Sequence, residues 1–239
     1  MISRTALIIP ALNEEQGLAL VLAALPGETL DRVVVVDNGS RDRTAAVAAE
    51  GGAQVVKAAR KGYGSACQAG LVHMKDDPPD IVAFLDADFS DDPADLTALL
   101  APLKAGQADL MVGSRELGRM APGAMPWHAR WGNRLATRLM TLAHGGSFTD
   151  LGPFRAVTWD ALERLAMQDP GCGWNVEMQV KALRLGLRCR EVPVAYRRRV
   201  GASKISGTLS GSVRAGSAIL FSIARYGRST VNVRHSGTK

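Results

Sequence analysis

The sequence predicts an α/β fold in which helices flank a mostly parallel sheet, and three observations carry that reading. Apolar runs with strand character recur at Thr5 to Ile9, Arg32 to Val36, Ala53 to Val56, Ile81 to Leu85 and Asp109 to Val112. Stretches of helical spacing separate most of them, the alternation that a parallel sheet requires. Two of the runs lead directly into acidic residues, at Asp37 and Asp86, as expected where the carboxyl edge of such a sheet meets a ligand. With 239 residues, 46% hydrophobic and 22% charged, the chain has the composition of one large globular domain.

The first strand leads into Asn13, which reads as a helix N-cap with Gln16 three residues on, and Leu18, Val21, Leu22 and Leu25 form the buried stripe of the helix that follows. Pro26-Gly27 ends it. The second strand runs into Asp37-Asn38-Gly39-Ser40 before a helix over Thr44 to Glu50. A glycine at a strand-to-helix switch permits a tight turn and the close approach of a nucleotide, and an ordinary capped turn would use the same residues.

The fourth strand carries the most informative motif, VAFLDADFSDD. Side chains at i and i+2 of an extended segment point the same way, so Asp86 and Asp88 can face one ligand. Two carboxylates at a sheet edge make an oxygen-rich site for Mg²⁺ or Mn²⁺; the alternative is a solvated strand end or a helix cap. A calcium loop is excluded, since its sixth and twelfth positions need Gly and Glu and here hold Asp91 and Thr97. From about residue 115 the strict alternation lapses, which reads as an acceptor-facing lobe and not a second domain. Within it, Trp127 to Ala143 is amphipathic if helical. Arg130, Arg134 and Arg138 form one stripe and Trp127, Trp131, Leu135 and Leu139 the next, a pattern that suits either a half-buried helix or a membrane surface.

Cys67, Cys172 and Cys189 form no CxxC pair, so neither a disulfide framework nor a zinc site is implied, and a reducing cytoplasm is the expected setting. Net charge is +6, but residues 181–239 hold thirteen Lys or Arg against the single acid Glu191, leaving −6 on the rest. A basic tail can meet a phosphorylated substrate or an anionic membrane; no nucleic-acid motif accompanies it. The opening MISRTALIIPALNEEQ lacks a signal-peptide layout. No run is apolar for long enough to span a bilayer, although Ala215 to Ala224 could lie on one. The expected organisation is a catalytic domain over residues 1–210 and a basic tail over 211–239.

Taken in order, IIPALNEE, VVVVDNGSRDRT, FLDADFSDDP, DLMVGSR, DLGPFRA and RVGASKISGT resemble the family 2 glycosyltransferases, and within them the dolichyl- or polyprenyl-phosphate hexose synthases. The resemblance implies a GT-A fold, inverting transfer from a nucleotide-diphosphate sugar and a divalent metal. It implies that Pro10, Ala11, Asn13 and Glu14 contact the nucleotide and that Asp37 reads the base. Asn38 replaces the commoner second Asp, which leaves UDP versus GDP open. Asp86, Ala87 and Asp88 match the metal-and-diphosphate motif, Arg115 and Arg130 the arginines that hold an acceptor phosphate, and Arg199, Ser203 and Lys204 the segment that closes over the donor, with Ser203 on the acceptor side.

A lipid phosphate is already anionic and needs positioning more than deprotonation, whereas a hydroxyl acceptor needs a general base. Asp150 and Glu177 are the candidates for that base, and capping or pairing with arginines is their alternative role. Three further readings stand beside the lipid-phosphate one. Transfer to a hydroxyl acceptor and a non-catalytic binding module are two of them. The third, a nucleotidylyltransferase, is disfavoured because Pro10-Ala11-Leu12-Asn13-Glu14-Glu15 is acidic and glycine-free where a triphosphate loop belongs.

Overall fold

The structure is a computed structural model that describes residues 3–146, 148–201, 225 and 226. Seven strands form one sheet: β1 (Thr5–Ala11), β2 (Arg32–Asp37), β3 (Gln54–Lys57), β4 (Ile81–Phe84), β5 (Leu110–Ser114), β6 (Arg155–Thr158) and β7 (Cys189–Pro193). The helices are α1 (Glu15–Ala24), α2 (Thr44–Glu50), α3 (Tyr63–His73), α4 (Leu96–Lys104), α5 (Trp127–His144), α6 (Trp159–Leu165) and α7 (Trp174–Arg184).

The strand order is β3-β2-β1-β4-β6-β5-β7. Neighbours are parallel except around β6, which runs antiparallel to both β4 and β5. Burial on both faces explains the near-continuous apolar runs. Along β1, Ala6 and Ile8 enter the core beneath α3 and α7, while Leu7 and Ile9 enter the core with α1 and α4, the period of two that alternating side chains impose.

Chain order reverses between β1 and β4. The chain winds outward from β1 to β3 and then returns to place β4 on the other side of β1, and the crevice at such a reversal is where α/β sheets bind ligands. Residues after 115 complete this same sheet through β6 and β7, so they form no separate lobe of the core.

Two local expectations change. Asn13 is not the N-cap of α1; the cap is Glu14, without a side-chain hydrogen bond. Asn13 takes a left-handed φ of 51°, donates its N–H to Ser40 Oγ and accepts from Arg41 N at 2.7 Å. The side chain therefore ties the β1 loop to the β2 loop. Leu139, grouped by its spacing with Trp127, Trp131 and Leu135, packs against the core while those three are exposed.

Residues 202–224 and 227–239 lie outside the described residues, and with them Ser203, Lys204, the Ala215 to Ala224 segment and the proposed boundary at residue 210. Tyr226 is buried against α7, where its carbonyl accepts from Arg184 at 2.5 Å. No helix among the described residues is long and apolar enough to cross a membrane.

Candidate active site

The carboxyl ends of β1 and β4 open into a cavity of about 460 Å³. Pro10, Ala11, Leu12 and Glu14 line one wall, and Asp86, Ala87, Asp88 and Ser90 the floor. Asn38, Lys61, Gly62 and Tyr63 close one side; Arg115, Tyr196 and Arg199 close another.

The floor is a shaped loop. Phe89 takes a left-handed φ of 58°, a strained setting for a bulky residue. Asp88 Oδ1 accepts from Ser90 N at 2.9 Å, and the Arg197 guanidinium stacks 4.4 Å over the Phe89 ring. Val200 N donates to Asp88 O, and Arg197 N to Ser90 O, so the segment 196–201 straps the loop in place. From behind, α1 presses against it at Gly17, where a Cβ would fall 2.6 Å from Ala87 O and 2.9 Å from Asp88 Cα. Only glycine allows that approach.

Asp86 is half-buried, and its Oδ1 is enclosed with no hydrogen-bond partner among the described residues. Burial first, and repulsion from Asp88 second, push its carboxyl up to about 7, with Arg115 and Arg199 opposing. Asp88 Oδ2 lies 3.3 Å from Arg199 Nη1, and Arg199 Nη2 donates to Glu14 Oε1 at 2.7 Å.

No cluster of three or more His, Cys, Asp or Glu suited to a metal occurs among the described residues. Two carboxylates, one with an unused oxygen, fit Mg²⁺ or Mn²⁺, which take one or two carboxylates together with phosphate oxygens. They do not fit zinc, which needs three or four N, S or O ligands.

The remaining expected residues fall into distinct places. Pro10, Ala11 and Glu14 line the cavity. Asp37 is buried beside it, with Oδ1 accepting from Ser40 N at 2.9 Å. Asn38 Nδ2 donates to Gly62 O, which joins the β2 loop to the start of α3.

Arg115 lines the cavity and is gripped by Asp150, whose carboxylate accepts from Arg115 N, Nε and Nη2 at 2.8, 2.7 and 2.6 Å. Burial works against the Arg115 charge, but Asp150 outweighs it and raises the pKa. The Tyr196 ring covers the guanidinium at 5.0 Å.

Three expectations are corrected by this geometry. Asp150 is fully buried and engaged by Arg115 through three hydrogen bonds, the arginine pairing that was its alternative role, and it does not line the cavity. Glu177 is also fully buried. It accepts from Gln168 N and Asp169 N and pairs with Lys181 at 2.6 Å, so it anchors the turn before α7 and does not line the cavity. Arg130 does not line the cavity either; with Arg134 it pairs with Glu116 at 2.8 and 2.9 Å, because α5 places both arginines one turn apart over that carboxylate.

Sequence reasoning missed Lys61, Tyr63, Cys172 and Tyr196 as lining residues. Lys61 and Tyr63 had a usable signal in the glycines around them: a Cβ on Gly62 or Gly64 would meet Pro170 O or Asp169 O at 2.2 or 1.9 Å, which is how Gly171 and Cys172 reach the rim.

Comparison with known proteins agrees with this architecture. Residues 6–165 match the family model described as glycosyl transferase family 2. An uncharacterized glycosyltransferase of Mycobacterium tuberculosis is 42% identical over 207 residues, 86% of this chain and 91% of that protein. An undecaprenyl-phosphate mannosyltransferase of Micrococcus luteus is 32% identical over 224 residues, 87% of this chain and 90% of that protein. Among solved structures, glucosyl-3-phosphoglycerate synthase of Mycobacterium tuberculosis, crystallised with Mn²⁺, UDP and phosphoglyceric acid, superposes with a TM-score of 0.75 at 22% identity. That match covers 95% of this chain and 79% of the other. A doubly wound sheet with its crevice between β1 and β4, an acidic loop at the end of β4 and a family match across most of the domain lead to one conclusion: this chain is a GT-A glycosyltransferase and belongs to glycosyltransferase family 2.

Proposed function

We propose that the protein is an inverting, metal-dependent hexosyltransferase that moves a hexose from a nucleotide-diphosphate sugar, of the GDP-mannose or UDP-glucose kind, to a polyprenyl phosphate. One observation carries the reading. Asp86 and Asp88 share a cavity with the Arg199 guanidinium, so carboxylates for a divalent ion and a cation for phosphate oxygens face the same space. The similarity to a named undecaprenyl-phosphate mannosyltransferase supports the acceptor class, and the Mn²⁺ and UDP in the structural relative support the donor side.

When bound, the ion would neutralise charge on the departing nucleotide diphosphate. Asp88 and Asp86 would hold it, and Arg199 would exchange its contacts to Glu14 and Asp88 for diphosphate oxygens, joined from the tail by Lys204. Pro10, Ala11, Asn13, Glu14 and Asp37 form the nucleotide side. Asp150 holds Nε and Nη2 of Arg115 and leaves Nη1 to donate a charge-assisted hydrogen bond to an acceptor phosphate. Ser203, outside the described residues, would serve that acceptor side.

Among the described residues the carboxylates lining the cavity are Glu14, Asp86 and Asp88, all on the donor side, and Asp150 and Glu177 are committed elsewhere. That distribution favours an acceptor that arrives as an anion over a hydroxyl that must lose a proton.

The test is transfer from radiolabelled GDP-mannose and UDP-glucose with and without polyprenyl phosphate. Label should enter the organic phase only with polyprenyl phosphate and Mg²⁺ or Mn²⁺. Asp88→Asn should lose that transfer while keeping its circular dichroism. Transfer only to hydroxyl acceptors, or full activity in excess chelator, would overturn the reading.

A further inference from the structure

The outward face of α5 is apolar and cationic at once. Trp127 is 81% exposed, Trp131 66%, Leu135 42% and Leu142 84%. At about 100° per residue these four fall within a strip roughly 80° wide. Arg138 lies inside the strip, and Arg134 borders it with 53% of its side chain exposed. The opposite face is committed to the protein through Asn133, Ala136, Thr137 and Met140.

Of the eight exposed large apolar side chains among the described residues, four lie in this strip, and a fifth, Leu117, follows the Glu116 carboxylate that ties the loop to α5. The others, Leu20, Val55 and Val72, are scattered over α1, β3 and α3. Scattered exposure is ordinary, whereas a concentrated patch marks an interaction surface.

Charge identifies the occupant. Trp127 to His144 contains three arginines and no acid. A second copy docked on the same face about a two-fold axis would oppose arginine to arginine with no carboxylate on either helix. Glu116 already answers Arg130 and Arg134, and an anionic lipid surface supplies the charge that Arg138 lacks on the helix. Tryptophan rings settle at the headgroup level, arginines meet lipid phosphates, and the helix lies in the interface plane.

We infer that the α5 face docks on an anionic bilayer and sets the cavity against the membrane. The purpose of such docking rests on the proposed lipid-phosphate acceptor, although the contact itself does not. The inner side of α5 is wired to the acceptor wall. Asn133 Nδ2 donates to Thr149 O and Asn133 Oδ1 accepts from Leu151 N, flanking the Asp150 that holds Arg115. Arg130 and Arg134 grip Glu116, the next residue along from Arg115. The outer face of α5 is thus linked to the guanidinium proposed to receive the acceptor phosphate through Asn133, the 149–151 segment and Asp150.

The full chain is tested against vesicles that contain neither donor nor polyprenyl phosphate, either phosphatidylcholine alone or mixed with phosphatidylglycerol. Sedimentation and tryptophan emission report binding. The expected result is binding to the mixed vesicles with blue-shifted emission. It should weaken by about tenfold or more in Trp127→Ser/Trp131→Ser, and by about fivefold in Arg138→Gln, the loss of one basic contact with an anionic surface. Leu142→Ser, which leaves all tryptophans in place, should also weaken it.

Absence of binding overturns the inference. So does binding indifferent to the Trp127, Trp131 and Leu142 changes, which assigns it to the basic tail, or a dimer that these changes dissociate. A protein that binds these vesicles but glycosylates only hydroxyl acceptors loses the proposed function and keeps this surface. One that glycosylates polyprenyl phosphate without binding vesicles loses the surface alone.

Discussion

Asp150→Asn separates a positioning carboxylate from a catalytic base, and its effect can be worked from the contacts. Asp150 is fully buried and accepts three hydrogen bonds from Arg115, whose side chain is 13% exposed. Removing one partner of a buried ion pair costs about 3–5 kcal/mol, because the other charge stays desolvated. Asparagine keeps one acceptor oxygen, which places the loss near the lower end, about 3 kcal/mol. At roughly 2–4 °C per kcal/mol for a domain of this size, the melting temperature should fall by about 6–12 °C.

Urea titration followed by circular dichroism measures the loss, and a pH–rate profile accompanies it. The profile should keep its shape while kcat falls, since Arg115 is misplaced and no titrating base is removed. Asp150→Leu combined with Arg115→Met should regain much of the stability and none of the activity, because an apolar pair of similar volume replaces a buried ion pair at little cost. Wild-type stability in Asp150→Asn together with loss of the acidic limb of the profile would refute this reasoning and make Asp150 the base.

Other outcomes follow from the same geometry. The Asp86 carboxyl is raised from 3.8 to about 7, so its contribution to the stability of the metal-free protein is present below the lower value and lost as pH rises through the upper one. Added Mn²⁺ should accordingly raise the melting temperature more above pH 7 than below it, and scanning fluorimetry across pH checks the sign. Gly17→Ala should cost about 1–3 kcal/mol and weaken nucleotide-sugar binding, because its Cβ meets backbone atoms of the Asp88 loop that cannot step aside; denaturation and donor titration read the two effects. Arg199→Ala should weaken nucleoside-diphosphate binding about tenfold, the loss of one charge-assisted contact, without weakening Mn²⁺ binding in the absence of nucleotide, as calorimetry would show. Glu177→Gln should lower stability and leave kcat unchanged at a temperature where the variant is folded; a large kcat loss in a stable variant would return Glu177 to the list of bases.

What the sequence determined by itself was local and periodic. The strands β1, β2, β4 and β5 were legible because burial on both faces writes them as continuous apolar runs, and Asp86 and Asp88 were legible because two residues along a strand share a face. The amphipathic character of α5 was equally plain, although only the structure shows that Trp127, Trp131 and Leu135 face outward. β6 and β7 were not legible. β6 opens with the fully buried Arg155, whose Nη1 and Nη2 donate to the carbonyls of Asn175 and Gly152, and β7 is an edge strand of mixed polarity.

Tertiary structure alone decided which charged groups remain available for chemistry. Asp150 meets Arg115 across 35 residues and Arg199 meets Glu14 across 185, while Glu116 takes up Arg130 and Glu177 closes a turn. A motif shows that a carboxylate or guanidinium is present. Its role depends on the neighbour that desolvates or pairs it, and that neighbour is set by packing between distant segments, which no local pattern encodes.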